Sequence, residues 1–137
     1  MIEITPAMKL LTVGGVMNLA FGFLLGHYLG MFRLKNPDTP YRYLLVAHKA
    51  GLQQSFMLFG LCFAVVFSTL SDQTEYYAAV ALVFSTVLLN IGEIVNWYFR
   101  LEDEFKSRSI GMIIKTISAV FSTVGLAVLV YGVIKAI

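Results

Sequence analysis

Apolar residues dominate the chain in four long runs, and short polar links separate the runs. The runs cover approximately residues 8–32, 43–70, 76–99 and 110–137. A helix needs about 20 apolar residues to cross the hydrocarbon core of a bilayer, and each run meets that length. We therefore predict four transmembrane helices. We expect the first to be retained rather than removed as a signal peptide, because it is longer than the apolar core of such a peptide.

The links are rich in residues that are typical of turns. Their sequences are RLKNPDTP at 33–40, SDQTE at 71–75 and RLEDEFKSRS at 100–109. Short links between helices make successive helices antiparallel. The pattern therefore predicts an all-α fold, an integral membrane four-helix bundle with up-down-up-down topology, as a single domain over residues 1–137.

Composition excludes several classes of protein. Of the residues, 58% are hydrophobic and only 13% are charged, with a mean hydropathy of +0.80. A soluble domain carries about 25% charged residues, so this chain cannot cover a water-exposed surface. A net charge of +2 without a basic stripe excludes nucleic-acid binding. The single cysteine, Cys62, excludes a disulfide framework, and no motif of a soluble enzyme is present.

Basic residues gather around the first and third links. Only Lys9 and Lys135 lie at the other end of the predicted bundle. The residues at the two links are Arg33, Lys35, Arg42, Lys49, Arg100, Lys106, Arg108 and Lys115. Because cytoplasmic loops carry an excess of Lys and Arg, we predict that these links are cytoplasmic and that both termini lie outside. We expect the membrane to be the bacterial inner membrane.

Ionisable side chains within the spans lie at one depth. His27, His48, Glu93 and Lys115 are each five or six residues from the cytoplasmic end of their span. At 1.5 Å per residue, this places all four about 8–10 Å inside the boundary. An ionisable residue within a membrane is costly and is by default a candidate functional residue.

These residues also have interpretations without chemistry. Lys49 and Lys115 are near enough to the boundary to extend their ammonium groups into water. Glu93 is alternatively a structural partner of Lys115 or of a histidine. His27 and His48 are alternatively interfacial residues. As a functional candidate, an intramembrane histidine suits an axial position on haem iron, because neutral imidazole is a good iron ligand.

Small residues recur at every fourth position of the first span. They are Gly14, Asn18, Gly22, Gly26 and Gly30. Such spacing lets another helix approach closely, either within the bundle or between copies of the chain. We favour an oligomer, because a bundle of this size has little room for a large ligand at its centre.

Two segments resemble a family of small four-span membrane isomerases. They are AHKAGLQQSFMLFGLCF at 47–63 and IGEIVNW at 91–97, and the family comprises hydroxylaminobenzene mutases and, more distantly, styrene oxide isomerases. The matching residues are Ala47, His48, Gly51, Phe56, Leu58, Gly60, Asn96 and Trp97. Two positions depart from the pattern, since mutase-like members have Glu where this chain has Ala50 and Asn where it has Gln54.

The resemblance implies an isomerase that carries out a redox-neutral rearrangement of a small apolar or aromatic substrate. The rearrangement is of the epoxide-to-carbonyl or hydroxylamine type. Styrene oxide isomerases are homotrimers that hold haem b between protomers, and its ferric iron acts as a Lewis acid. Carried over by position, His48 is the axial ligand, Gln54 orients the substrate, and Glu93 and Asn96 lie in the catalytic pocket.

Two other functions remain open at this point. One is a haem-carrying or accessory subunit of a larger membrane complex, which docks through the glycine-rich face. The other is a proton-coupled transporter, in which Glu93, His27 and His48 relay protons. The second is disfavoured by the scarcity of polar residues in the outer half of the spans.

Overall fold

Four long helices and one short helix make up the protein. The structure is a computed structural model that describes residues 3–137. The helices are α1 (Pro6–Lys35), α2 (Arg42–Phe67), α3 (Asp72–Tyr98), α4 (Glu104–Ser107) and α5 (Ile110–Ala136). All except α4 are long and apolar enough to cross a membrane, and no strand occurs among residues 3–137. The predicted all-α four-helix membrane bundle is confirmed.

Hydroxyl side chains begin three of the membrane helices. Thr5 Oγ1 accepts a hydrogen bond from the amide of Met8 at 3.3 Å, with Pro6 in the first turn of α1. Ser71 and Ser109 cap α3 and α5 in the same way. Such caps satisfy amides that have no partner within the helix, so the polar residues of the links set the helix starts.

The end of α2 comes earlier than the apolar run predicts. The run extends to residue 70, whereas the helix stops at Phe67. The amide of Thr69 donates to the carbonyl oxygen of Gly132 at 3.3 Å, and the amide of Leu70 donates to Ser68 Oγ at 3.2 Å. The chain leaves the helix here because these backbone groups bond to α5 and to a local hydroxyl instead.

The glycines of α1 pack inside the bundle. A Cβ atom added to Gly22 would lie 2.8 Å from Leu52 Cδ2, and one added to Gly26 would lie 2.8 Å from His48 Cε1. Gly14 is equally close to Val83 of α3, whereas nothing lies within 4 Å of a Cβ at Gly30. Packing within one bundle is therefore the role of Gly14, Gly22 and Gly26, because close approach of helices in lipid needs small residues.

Helices α3 and α5 approach each other even more closely. A Cβ atom at Gly92 would lie 2.8 Å from the carbonyl oxygen of Gly111, and one at Gly111 would overlap the carbonyl of Gly92. The two backbones are thus in contact at this crossing. The crossing places Lys115 of α5 one turn further along, beside Gly92 and next to Glu93.

The main buried apolar cluster and most of the buried carboxylates and amides lie in different halves of the interior; Glu75, 3% exposed in the first turn of α3, is the exception. We call the end with the α1–α2 link and α4 the basic end. The main buried apolar cluster lies in the opposite half, near the chain termini, and consists of Ala7, Leu11, Leu58, Val65, Ala78, Ala79, Leu82 and Leu129. Buried Asn90, Glu93, Asn96 and Glu104 lie towards the basic end. Of the four ionisable residues that the sequence places at one depth, Glu93 is buried, His48 and Lys115 are half-buried, and His27 is exposed.

The outer surface is apolar, as a lipid environment requires. Leu24 is 70% exposed, Phe56 68% and Val120 60%. Exposed Thr12 and Thr116 turn their hydroxyl groups back to carbonyl oxygens one turn earlier in their own helices, at 2.8 and 2.9 Å. The hydroxyl groups of these two residues are thus satisfied locally, which a membrane-spanning helix needs because lipid offers no hydrogen bonds.

Candidate functional site

His48 lies on α2 with its ring against α1. Its Nδ1 atom is 2.7 Å from the carbonyl oxygen of Gly22. A carbonyl oxygen only accepts hydrogen bonds, so Nδ1 carries the proton and donates. In the neutral ring Nε2 then presents a lone pair, and the residue is half-buried. Histidines that bind metals commonly donate their other nitrogen to a carbonyl or carboxylate in this way.

Gly26 makes the position of this ring possible. A Cβ atom there would lie 2.8 Å from His48 Cε1 and 3.0 Å from Nδ1. Any larger residue at position 26 would displace the imidazole from α1. The glycine therefore sets the distance at which Nδ1 meets the Gly22 carbonyl.

Gln54 lies further along α2 and carries a buried acceptor without a partner. It lies one turn from Gly51 and from Leu58, both of which are buried, so it faces the interior. Within residues 3–137 its Oε1 atom has no hydrogen-bond partner. A buried acceptor without a bond costs free energy, so such an atom is a candidate for binding a polar group of a ligand.

Lys115 forms a buried ion-pair cluster with two carboxylates. Its Nζ atom lies 2.7 Å from Glu93 Oε1 and 2.6 Å from Glu104 Oε1. The side chains of Glu93, Glu104 and Lys115 are only 5%, 10% and 16% exposed. We call these three residues the ion-pair cluster. With both acids ionised, its formal charge is −1.

Asn96 and Tyr43 extend the ion-pair cluster to four helices. Asn96 Nδ2 donates to Glu104 Oε2 at 2.6 Å, and the hydroxyl of Ser109 donates to Asn96 Oδ1 at 2.8 Å. The amide of Glu104 donates to the hydroxyl oxygen of Tyr43 at 2.9 Å. These bonds dock α4 against α2, α3 and α5. Asn96 itself is completely buried.

A second buried network joins α1 to α3 nearer the middle of the bundle. Asn18 Nδ2 donates to Thr86 Oγ1 and to the carbonyl oxygen of Gly14, both at 2.9 Å. Asn90 Nδ2 donates to Asn18 Oδ1 at 2.9 Å. We call Asn18, Thr86 and Asn90 the asparagine network. Asn90 Oδ1 is buried and accepts no hydrogen bond from residues 3–137.

The structure separates the predicted site residues into two groups. Glu93 and Asn96 bond to α4 and α5, whereas His48 bonds to α1. Glu93 is a structural partner of Lys115, one of the alternatives that the sequence left open. Lys115 does not extend into water, because its ammonium group is bonded to two buried carboxylates. His27 is exposed.

Glu104 is the buried residue of the ion-pair cluster that the sequence did not predict, because it belongs to a polar link; Glu75, in another polar link, is also buried. Its neighbour Asp103 provides a local signal. Asp103 Oδ1 accepts hydrogen bonds from the amides of Phe105 and Lys106 at 2.9 and 3.2 Å. An Asp followed by such a turn is typical of a helix start, and α4 is the result.

The fold and these side chains define the protein's class as an integral membrane four-helix bundle with a polar interior towards its basic end. Among residues 3–137, no three or more His, Cys, Asp or Glu side chains are grouped so as to hold a metal ion. Comparison of the chain with protein-family models, with curated proteins and with solved structures found no match.

Proposed function

We propose that this protein is a membrane-embedded isomerase. It would rearrange a small apolar or aromatic substrate without net oxidation or reduction, by epoxide-to-carbonyl or hydroxylamine-type chemistry, with haem b held by His48. The observation that supports this most is the 2.7 Å bond from His48 Nδ1 to the Gly22 carbonyl, which leaves Nε2 as the ligand atom. The resemblance of residues 47–63 to the isomerase family supplies the reaction class.

The donor set fits an axial haem ligand better than a chelated metal ion. A haem needs a single imidazole nitrogen from the chain, because the macrocycle supplies its other ligands. When bound, its iron supplies a Lewis acid that polarises a substrate oxygen. The carbonyl of Gly22 keeps the imidazole in one tautomer and orientation, and Gly26 leaves space for it.

The other predicted site residues take distinct parts in this proposal. Gln54 orients the substrate, since its Oε1 atom is buried without a partner. Glu93 and Asn96 hold α4 across the basic end through Lys115 and Glu104. Their contribution is then to close that end of the bundle to water, which strengthens electrostatic interactions inside it.

We also propose a homotrimer in the bacterial inner membrane, with the basic end cytoplasmic. The trimer is supported by the resemblance and by the half-buried position of His48, which leaves part of this residue at the surface of its own bundle. The orientation is supported by the eight basic residues at or beside the basic end, against Lys9 and Lys135 at the other.

A proton-coupled transporter is the second candidate function. It is favoured by Glu93 Oε2, which is buried without a hydrogen-bond partner in a cluster of formal charge −1. Such an oxygen is a site for proton uptake. Proton flux into liposomes that disappears in Glu93→Gln, with no haem in the protein, would favour this function.

An absorption spectrum of the purified protein tests the main proposal. The protein should be expressed with an adequate haem supply and measured beside His48→Ala and the matched control His27→Ala. We expect a Soret band in the wild type and in His27→Ala that is lost in His48→Ala. A wild type without haem, or a His48→Ala variant that keeps the band, would overturn haem ligation by His48.

Product analysis then separates an isomerase from a haem-carrying subunit. Wild-type protein in lipid nanodiscs is given an aryl epoxide or an aryl hydroxylamine, and the isomeric product is measured. Haem without turnover of either compound, together with co-purifying subunits, would favour the subunit.

Gly26→Ala tests how the imidazole is positioned without removing it. We expect the haem-to-protein ratio to fall severalfold, because the new Cβ atom displaces the His48 ring from the Gly22 carbonyl. Gly30→Ala is the matched control, since nothing lies within 4 Å of its Cβ. Equal haem content in the two variants would contradict the proposed role of Gly26.

A further inference from the structure

The outer face of α2 carries a regular stripe of exposed residues. Their spacing alternates between four positions and three, a seven-residue repeat that is typical of helices packed side by side. The residues are Lys49, Gln53, Phe56, Gly60, Phe63 and Phe67, and we call them the α2 stripe. Members of such a repeat lie along one side of a helix. All of them are exposed, so the bundle itself does not cover this side of α2.

Gln53 places an amide group on this surface in the middle of the membrane. At about 1.5 Å per residue, Gln53 lies ~16 Å from the start of α2 at Arg42, halfway through a hydrocarbon core about 30 Å thick. An unsatisfied polar group in hydrocarbon costs free energy. Within residues 3–137 the side chain of Gln53 makes no hydrogen bond, in contrast to those of Arg42, Tyr43, His48, Ser55 and Cys62 on the same helix.

Exposed threonines in the spans show why an amide needs a partner from outside. The hydroxyl groups of Thr116 and Thr123 on α5 donate to carbonyl oxygens of their own helix, at 2.9 and 2.7 Å. One such bond satisfies the hydrogen of a hydroxyl group. An amide also has an oxygen that needs a donor, and the N–H groups in the interior of a helix are already bonded to its carbonyl oxygens. Helix α2 therefore cannot satisfy the amide oxygen of Gln53 by itself.

A second copy of the chain supplies the missing group at the correct depth. Copies that are inserted in the same orientation and related by an axis along the membrane normal present the same residue at the same depth. An amide is also self-complementary, because its NH₂ group donates and its oxygen accepts. Two facing Gln53 side chains can therefore satisfy each other, whereas a lipid acyl chain offers neither a donor nor an acceptor.

We infer that copies of this chain associate through the α2 stripe, with the amide of Gln53 in one copy bonded to the amide of Gln53 in the next. Two copies would form a reciprocal pair of hydrogen bonds. Three copies around one axis would form a ring, in which each amide donates to the next and accepts from the previous one. Either arrangement satisfies the oxygen that α2 leaves without a donor.

The residues on both sides of Gln53 suit a helix–helix contact. Gly60 is one seven-residue repeat beyond Gln53, and nothing lies within 4 Å of a Cβ atom added to it. Phe56 and Phe63 are each 68% exposed on either side of Gly60, so their rings can pack over the space that Gly60 leaves on a neighbouring copy. Lys49 lies towards the basic end, where its ammonium group can extend into water.

This inference rests on neither the haem nor the isomerase reaction. It goes further than the proposed homotrimer by naming the surface through which the copies meet. The α2 stripe contains neither His48 nor Gln54. Association through the stripe is therefore expected whether or not the protein holds haem, and the absorption spectrum and the product analysis test the proposed function separately.

Energy transfer between labelled copies measures the association. Full chains with a donor or an acceptor dye at the C-terminus are mixed in vesicles of phosphatidylethanolamine and phosphatidylglycerol, and the lipid is then diluted stepwise. We expect Gln53→Leu to raise the dissociation constant about sevenfold, which is about 1.2 kcal/mol, the value of two hydrogen bonds in a membrane. Gln53→Asn keeps the amide and should associate nearly as tightly as the wild type. Thr123→Val is the matched control, because its hydroxyl bonds only to its own helix.

Disulfide crosslinking then identifies the face while it leaves Gln53 in place. In a Cys62→Ser background, Gly60→Cys provides a single thiol on the α2 stripe, and copper phenanthroline is the oxidant. Ala127→Cys is the matched control, since Ala127 is exposed on α5 at nearly the same distance from the basic end. We expect at least fivefold more crosslinked dimer from Gly60→Cys than from the control. Addition of Gln53→Leu should lower the yield towards that of the control.

Three results would overturn the inference. A wild type that shows no energy transfer at any dilution is monomeric, and a lipid or a different membrane protein then covers the α2 stripe. A wild type that associates as tightly as Gln53→Leu forms its oligomer through another face, which leaves the proposed homotrimer intact. Equal crosslinking of Gly60→Cys and Ala127→Cys would reflect random collisions and not a contact between stripes.

Discussion

Removing the ammonium group of Lys115 should destabilise the bundle more than most single substitutions. In Lys115→Met, two carboxylates with side chains only 5% and 10% exposed lose their shared cation. Both Glu93 Oε1 and Glu104 Oε1 bond to Nζ, so these oxygens lie about 5 Å apart or less. At an effective dielectric constant of about 20, two like charges at ~5 Å repel by about 3 kcal/mol. Breaking buried ion pairs typically costs about 3–5 kcal/mol, so we expect that range.

Unfolding in mixed micelles with increasing dodecyl sulfate measures this effect. Trp97, the single tryptophan, reports the transition, because its ring packs edge-to-face on Tyr28 and Phe32 at centroid distances of 5.8 and 5.6 Å. Lys49→Met is the matched control. Lys49 is exposed on α2, so its replacement should change the free energy of unfolding by less than about 0.5 kcal/mol.

Neutralising the acids as well separates charge from packing. The triple variant Glu93→Gln, Glu104→Gln, Lys115→Met leaves no formal charge in the ion-pair cluster and should recover most of the lost stability, because a buried ion pair is often replaceable at little cost. A loss below about 1 kcal/mol in Lys115→Met would refute the reasoning. So would a triple variant no more stable than the single one, since the defect would then be packing around the shortened side chain.

The remaining predictions concern other contacts of the interior. Asn18→Val removes two interhelical hydrogen bonds, each worth about 0.6 kcal/mol in membranes. The free energy of unfolding in the same assay should therefore fall by about 1 kcal/mol. The control Thr12→Val, on the surface, should change it very little. Gly111→Ala should destabilise by about 1–3 kcal/mol through overlap with α3, whereas Gly60→Ala, with nothing within 4 Å, should not. Nitrogen-15 NMR should find His48 protonated on Nδ1; protonation on Nε2 alone would contradict the bond to Gly22.

The sequence predicts the depth of a polar residue better than the direction that it faces. Hydropathy and link chemistry are enough for four helices, since each apolar run has the length of a span. The position of His48, Glu93 and Lys115 near the basic end also follows from counting residues along each span. The rotation of each helix depends on which faces pack together, and that is set by contacts such as Gly26 with His48 and Gly92 with Gly111. Counting therefore could not show that His48 turns to α1 while Glu93 turns to α5.

Glu104 shows a second limit of reading a membrane sequence by hydropathy. A polar link is expected to lie in water, and the average over residues 100–109 contains no sign that one acid folds inwards. Its burial depends on an ammonium group 11 positions away in the chain, and on Asn96 and Tyr43. A lysine inside a span is costly when it is unpaired. Lys115 is therefore the residue from which a further acidic partner, besides Glu93, could have been inferred.

The ion-pair cluster is better explained by where it places α4 than by stability. Apolar residues of similar volume commonly replace such clusters without loss of stability, so we expect the triple variant to fold but to hold α4 less firmly. The amide of Glu104, which donates to Tyr43 at 2.9 Å, reports this docking. Its hydrogen exchange should become at least tenfold faster in the triple variant, while the amides of the apolar cluster near the chain termini keep their protection. If the amide of residue 104 in the triple variant stays as protected as in the wild type, Tyr43 and the cap at Asp103 are sufficient to dock α4. The presence of the ion-pair cluster would then be explained by its charge and not by the docking of α4.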